Sequence, residues 1–186
     1  FKTWMNKAKE TEPNDPNALS LATTDSNGLP SVRIVLLKDF NENGFVFYTN
    51  LNSQKSLSLK KNPKAEMCFH WKSLLRQVRI NGTVSEVLEK EADDYYDTRS
   101  YDSRIGAWAS KQSEVLNSRK ELIDSINKYK EKYNNEKNVP RPNHWSGWRL
   151  LPKEIEFWLN VENRIHERLK YFKDKNGKWN KFLLNP

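Results

Sequence analysis

Three short polar segments ending in glycine do most to limit how this chain can fold: Asp25-Ser-Asn-Gly28, Asn41-Glu-Asn-Gly44 and Asp174-Lys-Asn-Gly177. Each offers a residue that tolerates positive φ, and each lies between runs able to form strands. Ala18 to Thr24, Ser31 to Lys38 and Gly44 to Asn50 flank the first two. Arg168 to Phe172 and Trp179 to Leu184 flank the third. Turns this tight join antiparallel neighbours, whereas parallel strands need long crossovers. Ala65 to Trp71, Arg76 to Val87, Gly147 to Leu151 and Glu154 to Leu159 extend the strand set.

Helices are expected at fewer places. Phe1, Trp4, Met5 and Ala8 share helical spacing before Pro13 and Pro16 stop the pattern. Asn52 or Ser53 caps a short helix to about Lys61, and Glu89 to Arg99 and Ser113 to Tyr133 read as two more. Asn134 to Pro142 is a polar, proline-ended loop. The expected fold is mainly β with flanking helices (α+β), an antiparallel barrel with helices packed outside. No repeat or boundary interrupts the 186 residues, so one domain is expected; the chain opens at Phe1, so an N-terminal segment is expected to be missing.

Seven Trp, seven Tyr and eight Phe must fill a core, line a pocket or form an interface. The net charge of +8 calls for anionic partners, and the cations are scattered through aromatic segments rather than gathered in a tail. That distribution favours a phosphorylated small molecule over nucleic acid or a membrane. No apolar run approaches the roughly 20 residues of a membrane span. The single cysteine, Cys68, excludes an intramolecular disulfide and suits a reducing compartment, so the cytoplasm is expected. Three scattered histidines give no metal-ligand spacing.

Several clusters carry chemistry. In Arg76-Gln-Val-Arg-Ile-Asn-Gly82, Val78 and Ile80 take one strand face and Gln77 and Arg79 the other. Two cations and an amide read as a single strand face suit a planar anionic ligand; a solvated face is the plainer reading. Arg33 and Lys38 bracket four apolar residues at an offset of five, so joint action needs a bulge or a strand end. Tyr95, Arg99 and Ser103 share one face if the helix continues that far, and could all donate to a phosphate. Lys55 near a helix start, and Gln112-Ser113 at the opening of the long helix, could hold an anion or merely cap. Arg164, His166 and Arg168 share a face on an extended chain, either as a charged edge or as a substrate-orienting set.

Together these segments resemble the pyridoxine (pyridoxamine) 5′-phosphate oxidases over nearly the whole chain. The similar stretches include Leu21-Ala-Thr23, Arg33-Ile-Val-Leu-Leu-Lys38, Gly44-Phe-Val-Phe-Tyr-Thr-Asn50, Asn62-Pro63 and Arg76-Gln-Val-Arg79. They continue through Ile105-Gly-Ala-Trp-Ala-Ser110, Gln112-Ser113, Val139-Pro-Arg-Pro142, Glu156-Phe-Trp158 and Arg164-Ile-His166. The resemblance implies a homodimeric split β-barrel with FMN between the subunits, oxidising C4′ of the phosphorylated pyridine to an aldehyde while O2 becomes H2O2. It implies FMN contacts at Arg33, Ile34, Val35, Leu36, Leu37, Lys38, Tyr48, Thr49, Gln54, Lys55, Gln77, Gln112, Ser113, Trp158 and Arg168. It implies a substrate-phosphate cradle of Lys38, Tyr95, Arg99 and Ser103, with Arg164 and His166 holding the ring as the catalytic pair.

Gln54, Ser100, Arg104, Leu159-Asn160, Glu167 and Leu183 depart from the family pattern. The alternatives are a phenazine-biosynthesis type of FMN oxidase on the same fold and, remotely, a basic aromatic barrel binding single-stranded nucleic acid. A pyridoxal-phosphate carrier role is compatible with either flavin reading.

Overall fold

A computed structural model describes residues 1–135 and 138–186. Within the expected loop from Asn134 to Pro142, residues 136–137 therefore lie outside the described residues. The chain forms two compact units: residues 1–47, 58–85 and 149–186, and residues 48–57 and 86–148.

The first unit is built on a nine-stranded, largely antiparallel sheet. Its strands are β1 (Ala18–Thr24), β2 (Pro30–Leu36), β3 (Asp39–Asn41), β4 (Gly44–Asn50), β5 (Lys64–Trp71), β6 (Arg76–Glu86), β7 (Trp145–Leu159), β8 (Glu167–Lys173) and β9 (Trp179–Leu184). The order is β2-β1-β5-β6-β7-β4-β3, with β8 on β7 and β9 on β8. The three glycine turns fall where expected, with Gly28, Gly44 and Gly177 all at positive φ. Alternation decides the buried face: Leu19 and Leu21 of β1, Met67, Phe69 and Trp71 of β5, and Val78 and Ile80 of β6 are nearly inaccessible. Each such side chain contributes about 1.5–3 kcal/mol. Helix α1 (Lys2–Thr11) buries Met5 and Ala8, and Trp4 meets Phe157 edge-on at 5.3 Å.

Two expected strands are in fact one. The Gly147–Leu151 and Glu154–Leu159 segments run together as β7, because Pro152 removes a donor but not the extended conformation. Strand β3 has only three residues, too few for any alternation to show in the sequence.

The second unit carries α3 (Glu89–Asp97), α4 (Tyr101–Ala109) and α5 (Arg119–Lys132), together with the first half of α2 (Gln54–Lys61). Its core holds Ala92, Tyr96, Ile105, Val139, Trp145 and Trp148. Trp108 lies 5.6 Å from Tyr129 and 5.4 Å from Tyr133, which ties α4 to α5. The long helix starts later than the apolar spacing suggested. Ser118 accepts from the Glu121 N–H at 3.2 Å and opens α5 there, while Ser113 sits at φ 76 in a turn. Ser118-Arg-Lys-Glu121 is a capping-box pattern, and it is the signal that places this start.

Candidate functional site

Thr49 at the end of β4, Lys55 in the first turn of α2 and the turn at Gln112-Ser113 meet in the second unit. The buried Lys55 Nζ donates to Thr49 Oγ1 at 3.1 Å, Ser53 Oγ at 3.2 Å and Gln112 Oε1 at 3.4 Å. The Gln54 N–H donates to Ser113 Oγ at 3.3 Å. An ammonium, hydroxyls, an amide and the Gln54 N–H thus converge, a set that fits a phosphate. Contrary to the sequence expectation, Gln112 and Ser113 do not open the long helix; they reach this cluster from a turn.

The second cluster of this unit is aromatic. Tyr48 stacks on Tyr95 at 4.0 Å and on Trp145 at 5.4 Å. Gly147 makes room for it, because a Cβ there would meet Tyr48 ring carbons at 2.8 Å. The Arg99 guanidinium lies 4.5 Å over Trp145 and donates from Nη2 to the Ser103 carbonyl at 3.1 Å. Burial holds the Arg99 guanidinium below its ordinary value.

Tyr95, Arg99 and Ser103 do not lie on one helix. Helix α3 ends at Asp97, and Ser100 takes φ −58 and ψ 151 as the N-cap of α4. Tyr95 sits in the last turn of α3, Arg99 in the link and Ser103 in the first turn of α4. The Arg99–Ser103 bond, not helical periodicity, brings these two together. Sequence reasoning missed Trp145, the platform for Arg99, and Arg141, which pairs with Asp93 at 2.6 Å and with Glu89, fixing the following loop to α3.

In the first unit, β2 ends at Leu36, and the Lys38 N–H then donates to Val46 O of β4 at 2.8 Å. That strand end answers the offset of five between Arg33 and Lys38. Arg33 bonds Leu21 O, Thr23 Oγ1 and Ser31 Oγ, whereas the Lys38 side chain is exposed. Ile34 is 64 % exposed, Val35 and Leu36 half-buried and Leu37 buried. Gln77 lies opposite His70 on the face it shares with Arg79.

Arg79 already has anionic partners, contrary to its sequence reading: Glu66 at 2.7 Å and Glu156 at 3.6 Å. Those carboxylates, the Glu66 hydrogen bond first, hold the Arg79 guanidinium above its ordinary value. Arg76 falls on the Val78 side and packs 4.6 Å over the Trp4 ring.

Arg168 bonds Glu156 at 2.8 Å, and Trp158 stands opposite Arg168 in the β7–β8 register. The Trp158 and His166 rings are 4.7 Å apart, and the Val161 N–H donates to His166 Nδ1 at 3.3 Å. A neutral ring bonded in this way carries its proton on Nε2. Arg164 does not share a strand face with His166 and Arg168. It closes a 3-10 turn in which Asn163 and Arg164 have φ 57 and 63, and β8 starts only at Glu167. Left-handed backbone at two successive residues cannot continue an extended chain.

The fold identifies the class first. PhzG from Burkholderia lata, solved in complex with tetrahydrophenazine-1-carboxylic acid, is similar over 100% of this chain and 90% of its own, with a TM-score of 0.93 and 31% identity. A pyridoxamine 5′-phosphate oxidase-related, FMN binding protein from Nostoc punctiforme shares the fold at a TM-score of 0.79 and 18% identity, over 100% of this chain and 96% of its own. The fold is therefore the split β-barrel of this group, mainly β with flanking helices.

Residues 5–133 match the pyridoxamine 5′-phosphate oxidase family, and residues 145–186 match the pyridoxine 5′-phosphate oxidase C-terminal dimerisation region. Pyridoxine/pyridoxamine 5′-phosphate oxidases from Pelagibacter ubique and Allorhizobium ampelinum are 69% and 53% identical, each over 100% of this chain and 89% and 90% of their own. The chain belongs to the pyridoxine/pyridoxamine 5′-phosphate oxidase family. That family uses FMN.

Proposed function

We propose that this chain, acting as one FMN-binding domain, oxidises pyridoxine 5′-phosphate or pyridoxamine 5′-phosphate to pyridoxal 5′-phosphate, a step of pyridoxal phosphate biosynthesis. The observation that carries this reading is Arg99, held over Trp145 and against Ser103 beside Tyr95, with charge left for a phosphate. The phenazine-type alternative has no evident use for such a cradle. The 69% identity to a pyridoxine/pyridoxamine 5′-phosphate oxidase, against 31% to PhzG, supports the same choice.

The donor set around Lys55 fits the phosphate of FMN, with Thr49, Gln54, Gln112 and Ser113 completing it. Arg33, the run from Ile34 to Lys38, Tyr48, Gln77, Trp158 and Arg168 take the remaining FMN contacts. When bound, FMN supplies the two-electron oxidation of C4′ and the transfer of those electrons to O2, with H2O2 as product. Tyr95, Arg99 and Ser103 hold the substrate's 5′-phosphate, and Lys38 adds a cation to it. Each charge-assisted bond contributes about 1.5–3 kcal/mol. His166 donates from Nε2 to the ring substituent beside the reacting carbon, the tautomer that Val161 fixes. Arg164 stays protonated, so it orients the ring and does not accept a proton.

The match of residues 145–186 to a dimerisation region supports a homodimer, and the family resemblance implies FMN at its subunit interface. No helix among the described residues is long and apolar enough to cross a membrane, and the lone Cys68 suits the reducing cytoplasm, where we place the enzyme.

The test is to reconstitute the purified protein with FMN, supply pyridoxine 5′-phosphate in air, and follow aldehyde and H2O2 together. Equal amounts of both products are expected. A yellow protein that makes neither would exclude the proposed substrate, and a protein that takes up no FMN would exclude the flavin reading.

A further inference from the structure

Glu156 has no part in the proposed reaction, yet it is a buried carboxylate, 8% exposed, between two arginines. The register sharpens the point. Lys170 stands directly opposite Glu156, and Arg168 stands opposite Trp158. Lys170 nevertheless reaches diagonally, two residues along β7, to Glu154 at 2.9 Å, leaving Glu156 to Arg168. Arg168 Nε donates to Glu156 Oε1 at 2.8 Å, Nη2 is ion-paired with the same oxygen at 2.8 Å, and Nη1 donates to the Asn185 carbonyl at 3.0 Å. On the far side Glu156 Oε2 lies 3.6 Å from Arg79 Nη1, and Arg79 is itself held by Glu66 at 2.7 Å.

A guanidinium has five N–H groups in a rigid fork. Three are engaged here, which leaves one on Nη1 and one on Nη2 without a partner among the described residues. We propose that Glu156 is a positioning residue: it locks the Arg168 fork so that these two N–H groups stay available to an acceptor on FMN. The inference rests on reading Arg168 as an FMN contact. Locking the fork beforehand removes the rotamer freedom that Arg168 would otherwise lose on binding. It also offsets the arginine's charge, so Arg168 offers directed hydrogen bonds more than net charge.

The experiment titrates FMN into apo-protein, read by flavin fluorescence, for wild type, Glu156→Gln, Arg168→Met and the double variant, with the midpoint potential of bound FMN measured for each. Arg168→Met should weaken FMN binding. Glu156→Gln should weaken it about tenfold, as expected for loss of one oriented charge-assisted contact. It should also move the potential upward, because the Arg168 charge is then uncompensated. The double variant should bind no more weakly than Arg168→Met alone. Wild-type affinity and potential in Glu156→Gln would overturn the proposal, as would an undiminished Glu156 penalty on the Arg168→Met background. Unchanged FMN binding in Arg168→Met would instead overturn the reading of Arg168 itself. Glu156→Asp keeps the charge one methylene further back and serves if Gln does not fold. Weakened FMN binding by a folded Asp variant supports the geometry, and wild-type affinity contradicts it.

Discussion

Arg99 in the second unit and Arg168 in the first are held in opposite ways. Arg99 lies over the faces of Trp145 at 4.5 Å and Tyr96 at 5.8 Å, bonds a backbone carbonyl, and makes no ion pair among the described residues. Arg168 is clamped by a carboxylate, in a sheet face where Glu66, Arg79, Glu156 and Arg168 alternate in sign across β5 to β8. A cation on aromatic faces keeps its charge for an incoming dianion, while one clamped by a carboxylate gives up charge and gains direction. Their surroundings differ in the same way: Arg99 sits beside the stacked rings of Tyr48, Tyr95 and Trp145, and Arg168 beside a ladder of ion pairs, with Asn81, Glu154 and Lys170 next to it.

Two glycines give the largest effects and separate the regions. A Cβ at Gly82 would stand 2.0 Å from the Leu151 carbonyl, so Gly82→Ala must part β6 from β7. The expected loss is about 3 kcal/mol, read by denaturant unfolding. Gly147→Ala instead presses on a Tyr48 ring stacked against Tyr95. It should cost about 1–2 kcal/mol and raise KM for the phosphorylated substrate several-fold, because Tyr95 is displaced. Equal KM effects from both variants would erase the contrast.

The pH extremes should also act on different regions. Hydrogen bonds from Asn81 and then Lys170 hold the Glu154 carboxyl below its ordinary value. Its contribution is present above the ordinary carboxylate range and is lost as pH falls through the depressed folded value. Burial pushes the Tyr96 hydroxyl from 10.0 up to about 12, so its contribution is full below pH 10 and lost as pH rises toward 12. Hydrogen exchange should therefore rise first around β6 to β8 in acid and around α3 and α4 in alkali. The reverse order would break the account. The smallest effect is Ser100→Pro: the native φ of −58 already suits proline, so a gain of about 0.5 kcal/mol in thermal unfolding is expected.

Legibility in the sequence followed signal type. Strands β1, β4 and β9 could be read to the residue because a turn segment ending in glycine lies beside each, and β1 also alternates. The start of α5 was misplaced because Val115 fits a helical spacing, yet it is 91% exposed ahead of the Ser118 cap. The break between α3 and α4 was hidden for a similar reason, since Tyr95, Arg99 and Ser103 keep helical spacing across it. At the site, the meeting of Lys55 with Gln112 joins residues 57 positions apart, which no local pattern shows and only the family resemblance supplied. The anionic partners of Arg79 were invisible for the same reason, because Glu66 and Glu156 come from neighbouring strands.

The most direct measurement compares wild type with Arg99→Ala for two constants, KM for pyridoxine 5′-phosphate and Kd for FMN. Loss of one charge-assisted phosphate contact predicts a KM higher by about tenfold or more, with FMN affinity unchanged within about twofold. Equal weakening of substrate and FMN would contradict the assignment of Arg99 to the substrate's phosphate and, with it, the contrast between an arginine kept charged and an arginine kept aimed.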